Sequence, residues 1–204
     1  VTPALASLLA GRALDSLPPV RSRLYATLAA LRPQQLPAGA LAHFLTSGLG
    51  DASVLARSEC QCMLRAWAAA MGVLEGLDAE GAGEVDGGQA LADLMACLDV
   101  EGDLSQEAGA EAALNHLLSR SEWLSEGEQC VRDLLLSDAD LPPERLLIAR
   151  VMVAVDPALW NASQALSGTR LLRRVLGALD AGQTFELRQL LLLLLRLDVA
   201  VEAV

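Results

Sequence analysis

The chain of 204 residues contains no lysine; all fifteen of its basic residues are arginines. Aromatic residues make up 3% and there are two histidines, His43 and His116. Few aromatic and β-branched side chains argue against sheets. With two histidines, few Ser-His-Asp, Cys-His or zinc-binding arrangements can be built. No G-x-S-x-G elbow, phosphate loop or dinucleotide fingerprint occurs. The longest run of pure leucine, Leu190–Leu195, lies between Arg188 and Arg196, far short of the ~20 apolar residues that cross a bilayer. No basic start followed by a clean apolar run marks a signal peptide in residues 1–14. The chain begins at Val1 rather than Met and reads as a piece of a longer protein.

Disulfide scaffolds are short and cysteine-dense, and this chain is neither. Its four cysteines, Cys60, Cys62, Cys97 and Cys130, read as reduced thiols, which points to a cytoplasmic or nuclear location. Cys60 and Cys62 would point about 160° apart on a helix, which a shared zinc ion does not allow. Asp99, Glu101 and Asp103 suggest calcium, but the glycine and the closing glutamate of an EF-hand loop are missing at their positions. No metal, cofactor or catalytic residue is expected. The triplet Asn161-Ala162-Ser163 matters only in a secreted protein.

Hydrophobic residues account for 53%, mostly leucine, alanine and valine. Leucine and alanine favour helices, and punctuation divides the chain into about nine to ten of them. Thr2-Pro3 opens the first, with Leu5, Leu8, Leu9 and Ala13 on one stripe. Pro18-Pro19 opens a second, with Val20, Leu24, Leu28 and Leu31 as its stripe. Leu36-Pro37 starts a third. Asp51 is expected to cap the longest, about 52–77, which carries Leu55, Met63, Leu64, Trp67 and Met71. Residues 78–88, rich in glycine and acid, read as a flexible loop. Further helices are expected over about 89–98, from Ser105 to about 119, over 126–136 and from Leu141-Pro142-Pro143 to about 155. Ser167 or Thr169 caps another up to Leu179, and Asp180–Gly182 closes it. Thr184 opens the last. Trp123 and Trp160 fall in turns, where they would pin loops onto helix pairs.

The pattern Leu31-x4-Leu36-Pro37-x3-Leu41 recurs as Leu136-x4-Leu141-Pro142-x3-Leu146. With helix pairs spaced about 40 residues apart, the chain resembles divergent armadillo/HEAT-type α-solenoids. That resemblance implies one all-α domain over 1–204 built of antiparallel hairpins; an irregular helical bundle is the structural rival.

Net charge is −11, which argues against nucleic acid as the main ligand. No basic residue lies between Arg65 and Arg120, a span holding eleven acids from Glu75 to Glu111; this is either a site for a basic peptide or a solvated edge. The sharpest cationic feature is Arg170, Arg173 and Arg174, at i, i+3 and i+4 on one helix face. Arg188 and Arg196 lie eight apart on the next helix. Together the five form either a docking ridge for an acidic segment or a solvated face paired with local acids such as Glu186. Leucine on every side of the last helix suggests a cover, either another segment of the protein or a second copy.

The function expected from this architecture is a non-enzymatic scaffold that binds a partner protein's peptide or helix. One rival is a regulatory part of a larger enzyme with its active residues elsewhere. Another is nucleic-acid binding through the arginine ridge.

Overall fold

The computed structural model describes residues 1–74, 89–120, 123–136, 140–156 and 164–196. Where the sequence reads as one domain, the Cα packing groups the chain into two compact units, Val1–Leu117 and Leu118–Val204. Helices α1 (Pro3–Ala13), α2 (Pro18–Leu28), α3 (Ala38–Leu49), α4 (Val54–Leu74), α5 (Ala90–Met95) and α6 (Leu104–Leu118) account for unit 1, with a 3-10 turn at Pro33–Gln35. Unit 2 holds α7 (Leu124–Leu136), α8 (Pro143–Val155), α9 (Gln164–Ala181) and α10 (Thr184–Arg196). No strand occurs among the described residues. The protein is all-α with ten α-helices there, in line with the composition. The acidic loop 78–88 and Trp160 lie outside the described residues.

Local chemistry sets most of the ends. Thr2 accepts the Leu5 N–H at 3.4 Å ahead of Pro3, a side-chain N-cap with proline in the first turn. Asp103 starts α6: its carboxylate accepts the Ser105 N–H at 2.8 Å and the Ser105 hydroxyl at 2.7 Å. These bonds, led by the hydroxyl, hold its pKa down at about 2. Gly182, with φ +69°, ends α9. Gln183 N–H bonds to Ala178 O and Gly182 N–H to Leu179 O, the paired bonds of a Schellman cap, which favours glycine at that position.

Two expected caps move. Helix α9 starts at Gln164, so Ser167 and Thr169 lie inside it. Asp51 sits three residues ahead of α4 and is nearly buried. Arg21 of α2 grips its carboxylate with two bonds, 2.7 and 2.8 Å, and the Ser53 N–H adds a third at 2.8 Å. Arg57 donates to its carbonyl. Asp51 therefore ties α2 to the α3–α4 turn. The Arg21 bond is the main reason its pKa is depressed.

In unit 1, α1 packs on α2 and α3, α2 on α4, α3 on α4, and α4 on α5. Tyr25, Leu28, Leu41, Phe44, Met63 and Trp67 are fully buried. Trp67 donates its indole N–H to Leu28 O at 3.1 Å, so burial leaves no orphan donor. Gly109 brings α6 against α3: a Cβ there would stand 3.1 Å from the Ala42 backbone. In unit 2, α7 packs on α8 and α9, and α10 on α8 and α9. Every residue of α8 from Leu146 to Val153 is buried. On α10, Leu190 and Leu193 are buried, whereas Leu191 and Leu195 are exposed.

Candidate interaction surfaces

The arginines of α9 have different surroundings. Arg170 donates to Leu135 O at 3.0 Å and Leu136 O at 3.1 Å, the last carbonyls of α7, where the helix dipole favours a cation. Arg174 stands 3.7 Å from Glu186 of α10, with both side chains largely covered. Burial raises the Glu186 pKa more than Arg174 lowers it. The Arg188 guanidinium lies 5.6 Å from the centre of the Phe185 ring, within cation–π range. Arg173 is the exposed one of these four. Arg196 ends α10, and its side chain lies outside the described residues. The structure thus brings Arg170 and Arg174 onto internal partners and leaves Arg173 facing solvent.

On another side of α9, Leu172, Leu176 and Leu179 are about half exposed. They recur at i, i+4 and i+7, one apolar stripe. On α10, Leu191 and Leu195 recur at i and i+4 and are exposed as well.

Unit 1 presents a more complete feature. Periodicity puts Leu5, Leu8, Leu9 and Ala13 of α1 on one stripe. The stripe is divided: Ala13 is buried, as is Ala6 beside Leu5, while Leu5 and Leu8 are 45% and 62% exposed. Small side chains let α1 approach α3 closely, and the larger leucines are left outside. Full burial of each would be worth about 1.5–3 kcal/mol, much of it unrealised here. Beside this face runs an open groove of about 430 Å³ between α1 and α2. Leu9, Pro19, Val20 and Leu24 form its apolar lining, with Thr27, and Arg12 and Arg23 complete it. The arginine-ridge reading overlooked this groove. One countable signal was available: residues 1–50 carry four arginines, Arg12, Arg21, Arg23 and Arg32, against a single acid, Asp15. That stretch is cationic within a strongly anionic chain.

The reactive groups are muted by burial. Desolvation pushes the Cys60 thiol up to about 12 and the Cys130 thiol up to about 11, so neither supplies a thiolate at neutral pH. All four cysteines are free, and Cys62 is exposed. His43 has Ser47 Oγ at 3.4 Å from Nδ1. Among the described residues no group of three or more His, Cys, Asp or Glu side chains could hold a metal ion. No helix there is long and apolar enough to cross a membrane. Compared with family models, curated proteins and solved structures, the chain finds no match.

Proposed function

We propose that this chain is a non-enzymatic interaction segment that receives a partner protein's helix on its surface, with the α1–α2 groove as its principal site. The observation that carries this reading is the leucine face of α1 turned to solvent beside an open apolar groove. Contiguous exposed apolar surface costs solubility unless something covers it in use. The order of packing supports the same reading. Helix α1 lies on α3 as α2 lies on α4, and α7 lies on α9 as α8 lies on α10. Stacking of successive helix pairs, like on like, is how armadillo/HEAT-type solenoids are built, and we read each unit as a short stack of that kind. Such stacks offer partners long helical surfaces, a fold-level analogy that adds to the groove without replacing it.

The reading is tested by capture of partners from cell lysate with quantitative mass spectrometry. The wild type is compared with Leu9→Glu, Val20→Glu and Arg173→Glu. Proteins retained by the wild type and by Arg173→Glu, but lost from both groove variants, are the expected result. Loss confined to Arg173→Glu would move the site to α9. A wild type that retains nothing specific would refute the interaction reading.

A further inference from the structure

The identity of the groove's occupant rests on the interaction reading above. We infer that the α1–α2 groove is built for an acidic amphipathic helix of a partner protein, its apolar anchors on Leu9, Val20 and Leu24 and its carboxylates over Arg12 and Arg23.

The charge of the groove comes first. Its lining contains two arginines and no acid. Arg21, between Pro19 and Arg23 in sequence, is taken up by Asp51 and contributes no free charge. Arg12 has one ion-pair partner, Asp15, at 3.3 Å, and its side chain remains 60% exposed. An exposed i,i+3 pair of this kind holds its arginine weakly and can be exchanged for a partner's carboxylate. Arg23 is exposed and makes no ion pair among the described residues. A basic partner would be repelled here, although the chain as a whole attracts cations.

The secondary structure of the occupant follows from what the groove offers. Its walls are two helices whose backbone groups are already bonded internally, so an extended peptide would find no edge to pair with. A third helix can lay its side-chain ridge into the groove between two others. On α1, Leu5, Leu8, Leu9 and Arg12 recur at i, i+3, i+4 and i+7, so one stripe about 10 Å long carries both anchoring contacts and a charge. The complementary ligand is a helix of about three turns with apolar residues at i, i+4 and i+7 flanked by Glu or Asp.

The test is a display library of helical peptides of about 18 residues, long enough to hold helix. A leucine stripe is kept constant, and the flanking positions are randomised among Glu, Lys and Gln. It is selected on the wild type and on the Arg12→Glu/Arg23→Glu double variant. Both replaced side chains are exposed, and circular dichroism with thermal melting checks that the variant is folded. Selection on the wild type is expected to enrich Glu, and selection on the variant to deplete it. A synthesised winner should bind the variant at least about tenfold more weakly in fluorescence anisotropy, about 1.4 kcal/mol. Its affinity for the wild type should fall as salt rises from about 50 to about 500 mM.

Enrichment of Lys or Gln, equal enrichment on both proteins, or no enrichment overturns the inference. So does arginine-dependent binding of phosphatidylglycerol vesicles without peptide enrichment, which would assign the groove to lipid. A dimer in sedimentation that Leu8→Glu dissociates would assign it to a second copy. If lysate partners are lost with Leu9→Glu and Val20→Glu while the library shows no acidic preference, the interaction reading stands and this occupant alone fails.

Discussion

The deepest side chains of unit 1 include aromatic rings, whereas those of unit 2 are aliphatic and polar. Trp67, Tyr25 and Phe44 are all at 1% exposure or less in unit 1. In unit 2 the comparable depth is occupied by the eight-residue run of α8, and there Glu126, Arg150 and Gln189 are at 1%, 3% and 0%. Arg145 adds a 2.7 Å pair with Asp133 beside buried Cys130. The contrast separates two kinds of core. Aromatic burial stabilises through area and tolerates loss of detail. Buried charge stabilises only while each member keeps its partner, because an orphaned ion in a low dielectric is costly. At their centres unit 1 should therefore respond more to lost volume and unit 2 more to lost charge; the Arg21–Asp51 pair of unit 1, at 15% and 5% side-chain exposure, is the exception.

Substitutions can break that contrast. The largest effect is expected from Trp67→Ala, about 4 kcal/mol, since it removes a full core side chain and its bond to Leu28 O. In a Cys62→Ser background, labelling of buried Cys60 by a maleimide reports opening of unit 1 and labelling of Cys130 reports opening of unit 2. Trp67→Ala should accelerate the former much more than the latter. The reverse is expected of Arg150→Met, at about 3 kcal/mol, because the similar-sized side chain fills the space but removes a buried charge. If Arg150→Met leaves the Cys130 rate unchanged, buried charge is not what holds unit 2.

Acid sharpens the same comparison within unit 1. The Asp51 carboxyl is depressed by Arg21, so its folded pKa lies below its unfolded value of about 4. The stability it contributes is present above that unfolded value and is lost as pH falls through the folded one. Chemical denaturation followed by Trp67 fluorescence, with Trp123 and Trp160 replaced by Phe, should show stability declining below about pH 4, and Arg21→Gln should flatten the decline. The smallest effect is expected at Tyr25. Its hydroxyl is buried with no hydrogen-bond partner among the described residues, so Tyr25→Phe should be neutral or stabilising, within about 1 kcal/mol. A clear destabilisation would reveal a bond the hydroxyl makes in solution.

Helix positions were largely legible. Thr2-Pro3, Pro18-Pro19 and Asp180–Gly182 mark ends that the structure keeps to within a residue or two. The caps that moved show why such reading stops short. Asp51 has the chemistry of an N-cap, but Arg21, thirty residues earlier, competes for it and a bidentate ion pair outweighs one backbone bond. Periodicity identified the leucine stripe of α1 as a stripe, but not which part of it is covered. Two faces of that helix are apolar, and closeness of approach decided for the alanines. The α9 arginines share a face as spacing requires. What spacing could not supply was the exposed C-terminal end of α7, which takes Arg170. The groove was the least legible feature, because it belongs to two helices at once and the pattern on one does not say where the other lies.

Composition and punctuation alone thus settle that the chain is helical and roughly where each helix begins and stops. Propensity, capping and glycine turns act within a few residues of one another, so their outcome is written locally. Which face is covered, which arginine is occupied and where an open groove remains were decided by contacts between residues far apart in sequence. Arg21–Asp51, Trp67–Leu28 and Arg170–Leu135 span 30, 39 and 35 positions. A helix carries its amphipathic period with it, but coverage is a property of its neighbours, and those are chosen only when the chain packs.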